Sequence, residues 1–166
     1  MSKEKAPVTP AVRMLRQEGV AFTEHLYPYV EKGGTANAAR QLGVEEHEIV
    51  KTLVMEDDRH NPLIVLMHGD LQVSTRELAR AVGVKTVAPC TPEAARERSG
   101  YPVGGTSPFG TRHPLPVYVE ETILELPLIF INGGHRGFQV RLDPKELVRV
   151  LKATPVRVGI APAARR

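Results

Sequence analysis

The sequence predicts an α+β fold, with helices set irregularly around a mixed, mainly antiparallel sheet. Three observations carry this. Strand-length apolar runs follow one another as hairpin neighbours, helix signals fall between them without the strict alternation of a βαβ repeat, and 166 residues that are 42% hydrophobic suit one core. The expectation is one domain over residues 1–166, with a core at about 9–152 and short tails. It holds about four helices and at least six strands, with no internal repeat or linker.

Each element has its local reason. Thr9-Pro10 supplies an N-cap followed by proline in the first turn, which predicts a helix over residues 11–18 that stops at Gly19. Val20, Phe22 and Leu26 fall on alternate positions around Glu24, predicting a strand through residues 20–27 before Pro28. A helix runs from Thr35 to Leu42 with Gly43 as its stop, and an acidic turn follows at residues 45–48. The apolar runs at 52–55 and 63–67 flank the charged turn EDDRHNP and read as a hairpin.

Ser74 and Glu77 have capping-box spacing ahead of LARAV, Gly83 closes that helix, and VKTVA reads as a strand. Thr91-Pro92-Glu93 opens another helix that ends near Gly100. Residues 101–116 lose all periodicity and form a long structured loop. VYVE and LIFIN then read as buried strands, Gly133-Gly134 and Gly137 mark a turn, FQVRL returns, and Asp143, Pro144 and Glu146 cap a last helix over 145–152.

Composition excludes several classes. The single cysteine, Cys90, rules out an intramolecular disulfide framework and a multi-cysteine zinc site, and it fits a reducing cytoplasm. The N-terminus MSKEKAPVTP lacks the apolar centre of a signal peptide, and apolar stretches such as 62–67 and 126–131 are far short of a membrane span. The net charge of +3 is uneven, with −1 in residues 1–90 and +4 in residues 91–166. That balance permits an anionic partner such as nucleic acid and equally fits a solvated helix face.

No GxxxxGK[ST] phosphate loop, GxGxxG, HExxH or GxSxG pattern is present. The six histidines (25, 47, 60, 68, 113 and 135) lack paired ligand spacing, so no metal and no cofactor is expected. Cys90 precedes a helix N-terminus, where amide dipoles can activate a thiol. Without a partner cysteine or a histidine nearby in sequence, it reads as a small apolar residue.

Three features point to chemistry. Lys51 opens the apolar run IVKTLVM, so its charge either escapes to water at a strand end or points into a polar cleft. The loop GGTSPFG, residues 104–110, lets backbone approach a ligand closely and offers the hydroxyls of Thr106 and Ser107 beside Pro108. NGGHRG, residues 132–137, can form an oxyanion-binding nest or simply turn a hairpin.

Taken in order, TPAVRMLRQEGVAF, HLY, IVKTLVM, GYPVGGTSPFG and INGGHRGFQVRL resemble the YbaK/EbsC family of aminoacyl-tRNA deacylases, from Thr9 to about Lys152. The resemblance implies a barrel-like sheet and trans-editing of mischarged tRNA in the cytoplasm, most directly Cys-tRNA(Pro), with prolyl-tRNA synthetase as a further partner. It assigns Lys51 as the essential lysine and Tyr27 as the tyrosine of the H-x-Y strand. Gly104, Gly105, Ser107 and Pro108 become the glycine-rich site loop, with Thr106 between them a substrate-binding candidate for its hydroxyl, and Gly133 and Gly134 the glycine turn.

The chain departs from that family in a shortened segment before Leu42 and in Gln139, where an acidic residue is usual. The ester would be attacked by water or, for cysteine, by the substrate's own thiol. Lys145, Arg149 and Lys152 share one face of the last helix, opposite Leu147, Val148 and Leu151, as a phosphate-contacting or merely solvated stripe. The rival readings are a deacylase for another amino acid such as Ala-tRNA(Pro), a noncatalytic tRNA-binding module, and thiol redox through Cys90. The sequence leaves the oligomeric state open.

Overall fold

A computed structural model describes residues 5–162. Its described residues form, in order, α1 (Pro10–Gln17), β1 (Phe22–Leu26), α2 (Gly34–Leu42), β2 (Ile49–Asp57), β3 (Pro62–His68), β4 (Gln72–Val73), α3 (Thr75–Val82) and β5 (Val87–Pro89). Then follow α4 (Pro92–Ser99), β6 (Val117–Glu120), β7 (Ile129–His135), β8 (Phe138–Leu142), α5 (Lys145–Leu151), β9 (Thr154–Val156) and β10 (Gly159–Ile160). Short 3-10 turns at Glu46–Glu48 and Glu121–Glu125 lead into β2 and out of β6.

The capping residues act as expected. The side chains of Thr9, Ser74 and Thr91 accept the amides of Val12, Glu77 and Ala94, and Gly43, Gly83 and Gly100 end their helices in the left-handed region. The mixed, mainly antiparallel sheet runs β1-β8-β7-β2-β3-β6-β9, with β5 also pairing β2; β2·β7, β3·β6 and β6·β9 are its parallel pairs.

Several boundaries differ from the sequence expectation. The hairpin strands are longer than the apolar runs alone, because charged residues at 56–57 still satisfy the ladder at an exposed end. The VKTVA strand reduces to three residues. Gly133 and Gly134 do not form the turn: both lie inside β7, at a register shift between Asn132 and His135, and the chain reverses at Arg136-Gly137. Beyond α5, where the sequence reading places no element, β9 joins the sheet edge and Val156 and Val158 are buried. Glu120 holds that segment by accepting the amides of Val158 and Gly159.

Alternation along the strands sorts the core into two faces. Val50 and Val54 of β2, Ile64 and Leu66 of β3, Ile129 and Ile131 of β7, and Phe138, Val140 and Leu142 of β8 point into the main core, which α1 covers. On the opposite face Ile49 and Phe130 pack under Ala38 and Ala39 of α2, while Met55, Leu63, Val65 and Met67 pack under Leu78 and Ala79 of α3. Lys51 lies on this second face, between Ile49 and Leu53 along the strand.

The opposite edge of β2 is interrupted at the same place. β7 pairs with it only at Ile49 and Val50, and β5 only from Met55 onward, so residues 51–54 have no strand partner on that side. The register shift of β7 begins at Asn132, directly after its last pair with β2. A strand in the middle of a sheet therefore has an open stretch of edge beside its one lysine. No helix among the described residues is long and apolar enough to cross a membrane.

Candidate active site

The opening beside β2 is a cavity of about 440 Å³, lined among others by Tyr27, Tyr29, Thr35, Lys51, Gly104 and Gln139. Lys51 is half-buried, and its Nζ donates to the Gly69 carbonyl at 3.5 Å. Burial pushes its ammonium below the usual lysine value, and the nearby carboxylates of Glu46 and Asp70 oppose that shift. The cleft reading of Lys51 therefore holds over the strand-end one. Tyr27 continues from β1, its amide donating to Gly137 O at 2.9 Å, and its side chain packs beside Ile49 and Phe130.

The glycine loop divides into two parts. Gly104 and Thr106 line the cavity, whereas Gly105, Ser107 and Pro108 are buried beneath it. Ser107 Oγ accepts the Phe109 amide at 3.1 Å, so its hydroxyl serves the turn that plants Phe109 in the main core. Gly105 is required by proximity: a Cβ there would stand 2.9 Å from the Arg136 amide. Gly133 and Gly134 also lie behind the cavity wall. The Gly133 carbonyl accepts from Thr9 Oγ1 at 2.5 Å, and a Cβ on Gly133 would enter the Phe138 ring.

Asn132 joins the two glycine segments. Its Nδ2 donates to Gly104 O at 3.2 Å, while its Oδ1 accepts the amides of Gly134 at 2.7 Å and His135 at 3.1 Å. Gln139, paired across the sheet with Asn132 and His25, is buried, lines the cavity, and has an Oε1 without a hydrogen-bond partner. The sequence reading passes over Tyr29, Thr35, Asn37 and Glu46 as site residues. Thr35, at the start of α2 after two glycines, carried a local signal; the others are assembled only by the fold.

A shallower groove adjoins the cavity through Tyr27, Tyr29 and Arg136. Lys5, His135 and Arg136 line it with exposed Leu26, and among the described residues no carboxylate does. The Arg136 guanidinium lies over the Tyr29 ring at 5.3 Å.

Two other constellations resolve differently. His47, His68 and Asp70, scattered in sequence, place their ligand atoms within 4.8 Å of one another. Yet the two imidazoles stack at 3.7 Å and 8°, so their in-plane lone pairs run side by side. His68 also engages both nitrogens, Nδ1 with His47 O and Nε2 with Thr122 Oγ1, each at 2.7 Å. That arrangement suits hydrogen bonding and does not suit one shared ion. Burial pushes the Cys90 thiol up against the opposing charge of Arg98, whose Nη1 donates to its Sγ at 3.6 Å, and α4 begins with Pro92, which lacks an amide hydrogen to offer.

Comparison with known proteins gives the site its context. The model of the family described as aminoacyl-tRNA editing domain matches residues 31–150. EbsC of Enterococcus faecalis, whose name proposes a Cys-tRNA(Pro)/Cys-tRNA(Cys) deacylase, is 31% identical over 150 residues, covering 89% of this chain and 92% of EbsC. A proline–tRNA ligase of Thermodesulfovibrio yellowstonii is 31% identical over 106 residues, 64% of this chain and 18% of the ligase. A crystal structure proposed as a trans-editing enzyme for prolyl-tRNA synthetase superposes with a TM-score of 0.79 at 27% identity, covering 93% of this chain and all of that one. Matched through the strand that carries Lys51, both glycine segments and the sheet that joins them, this chain belongs to the aminoacyl-tRNA editing domain family.

Proposed function

We propose that the cavity beside β2 is the active site of a trans-editing deacylase that cleaves the ester of mischarged tRNA, with Cys-tRNA(Pro) as its substrate. One observation carries the reading: a half-buried lysine lines a cavity at a break in the sheet, in a chain of the editing family. Lys51 holds and polarises the ester and the terminal ribose. Tyr27 shapes the pocket, and Gly104 with Thr106 forms the wall against which the aminoacyl group lies. Gly105, Ser107, Pro108, Gly133 and Gly134 support that wall from behind.

In hydrolysis the oxygen of water bonds to the acyl carbon, the ester C–O bond breaks, and the ribose oxygen takes up the proton. With cysteine, the substrate sulfur forms the new bond to its own carbonyl carbon instead, giving a thiolactone and the same free ribose hydroxyl. Holding the attacking group, a water or the substrate thiol, against the ester supplies the proximity each route needs. The basic groove fits the preceding nucleotides of the 3′ end, with Tyr29 as a stacking surface and Lys5, His135 and Arg136 facing phosphates. Delivery by prolyl-tRNA synthetase is consistent with the relation to that enzyme.

Deacylation of Cys-tRNA(Pro) and Ala-tRNA(Pro) by the wild type and Lys51→Ala tests the reading. Loss of one such stabilising group lowers the rate roughly 10²–10³-fold. Lys51→Ala folds and is inactive; an active, folded variant overturns the role of Lys51. Faster release of alanine moves the substrate to Ala-tRNA(Pro), and saturable tRNA binding without ester loss identifies a noncatalytic module.

A further inference from the structure

Lys51 is held by a small polar assembly drawn from four elements. Its Nζ reaches the carbonyl of Gly69, the first residue after β3, at 3.5 Å. Thr35 Oγ1, in the first turn of α2, lies 2.6 Å from Glu46 Oε2 and 3.2 Å from that same carbonyl. A hydroxyl has one proton, and the short contact to a carboxylate takes it, which leaves the Gly69 oxygen to the lysine. Gly69 is itself fixed, because its amide donates to Ile49 O at 2.6 Å and a Cβ would stand 2.7 Å from Thr35 Oγ1 and 2.8 Å from Glu46 O.

We infer that Glu46 is the positioning residue for Lys51, acting through Thr35 and the Gly69 carbonyl, with Asp70 as its auxiliary. Both carboxylates oppose the effect of burial on the lysine, Glu46 more than Asp70. Asp70 is shared with His47, whose Nδ1 lies 3.0 Å from it, and His47 stacks on buried His68. Glu31, Lys32 and Arg136 line the same cavity, and none of these three forms a hydrogen bond or ion pair with the lysine head. Glu46 therefore does two things at once. It favours the ammonium form of Lys51 that can donate to an ester oxygen, and by taking the Thr35 proton it leaves the Gly69 carbonyl free to accept from that ammonium.

This inference rests on the reading of Lys51 as the residue that holds the ester, and the test separates the two. The titration of Lys51 is measured in the free protein by competitive acetic-anhydride labelling across pH, and the pH profile of deacylation is measured beside it. Glu46→Gln, which keeps an acceptor for Thr35 but removes the charge, moves the Lys51 titration to lower pH by about half a unit or more. The high-pH fall of deacylation moves with it. Thr35→Val leaves the Lys51 titration near the wild-type value and lowers kcat roughly five- to tenfold, and Thr35→Ser restores it.

A Glu46→Gln protein that folds with both profiles unmoved overturns the inference while leaving deacylation intact. A wild type that deacylates none of the mischarged tRNAs, yet shows the shifted lysine in Glu46→Gln, upholds the positioning role and removes the deacylase reading.

Discussion

Asn132 Nδ2 donates to the carbonyl of Gly104 at 3.2 Å, and this one bond ties the loop that walls the cavity to the bulged strand beneath it. The other end of the same side chain accepts two amides from the bulge, so a single carboxamide satisfies both glycine segments. Asn132→Ala leaves the buried Gly134 amide without its acceptor and frees the Gly104 carbonyl. The expected outcome is a loss of roughly 1–3 kcal/mol in urea unfolding, together with a raised KM for deacylation as the loop loosens. Unchanged stability and KM would detach this bond from the site.

Gly105→Ala tests the close approach of the two segments. The added methyl meets the main chain of Arg136 and His135 and no flexible side-chain tip, so the loops must separate. Expected is a destabilisation of roughly 1–3 kcal/mol with loss of deacylation. Gly83→Ala is the control, because its Cβ would meet open space and only backbone strain at a helix end results. It weakens the fold by about 1 kcal/mol and leaves activity in place.

Acid destabilises the protein through its buried imidazole. Burial holds His68 below its ordinary value of 6.5, so between the folded and unfolded values the unfolded chain binds more protons. Stability is thus fully present above about pH 6.5 and declines as pH falls below it. His25, lowered by partial burial and by Arg141, adds in the same direction. Urea unfolding at neutral pH and at about pH 5, with NMR titration of both imidazoles, checks this; a His68 that titrates at or above 6.5 contradicts it.

Lys51 has the same sign at the other end of the scale. Its folded value is lowered, so the cost of carrying its charge is present at neutral pH and is relieved as pH rises toward the unfolded value near 10.5. Lys51→Met accordingly raises the midpoint of thermal unfolding at neutral pH while deacylation is lost, and the gain shrinks in alkaline buffer. A midpoint that drops instead would mean the ammonium is held favourably.

The route of the RNA is open to a salt series. Lys5 lines the groove that adjoins the cavity, whereas Arg149 on α5 is bound by Glu146 and by Glu18 O, and Val148 is exposed among its neighbours and not buried opposite them. Lys5→Glu lowers the slope of log affinity against log salt by about one, and Lys145→Glu leaves it unchanged. The reverse result would place the phosphates on α5.

How much of this was legible beforehand depends on range. Thr9, Ser74 and Thr91 announce helix starts because a cap is bonded within three residues, and Gly43, Gly83 and Gly100 announce helix ends for the same local reason. Lys51 stood out because a charge interrupts an apolar run, and the two glycine segments because their paired glycines allow a close backbone approach or a tight turn. The sequence misplaced the reversal after Ile131, since Gly133 packs against the Phe138 ring across the hairpin and Gly134 against Tyr101 and Thr9, partners far away along the chain.

By itself, then, the sequence determined most of the elements, though not β4, β9 and β10, together with the alternation that sorts residues onto two faces of the sheet and the lysine as a candidate. The tertiary structure alone decided that β7 leaves β2 at residue 51, that Thr35, Glu46 and Gly69 gather around Lys51, and that Ser107 turns inward. Those outcomes are contacts across tens of residues, fixed when separate faces are buried together; no local pattern records them, because each residue's partner is set by the packing of the whole.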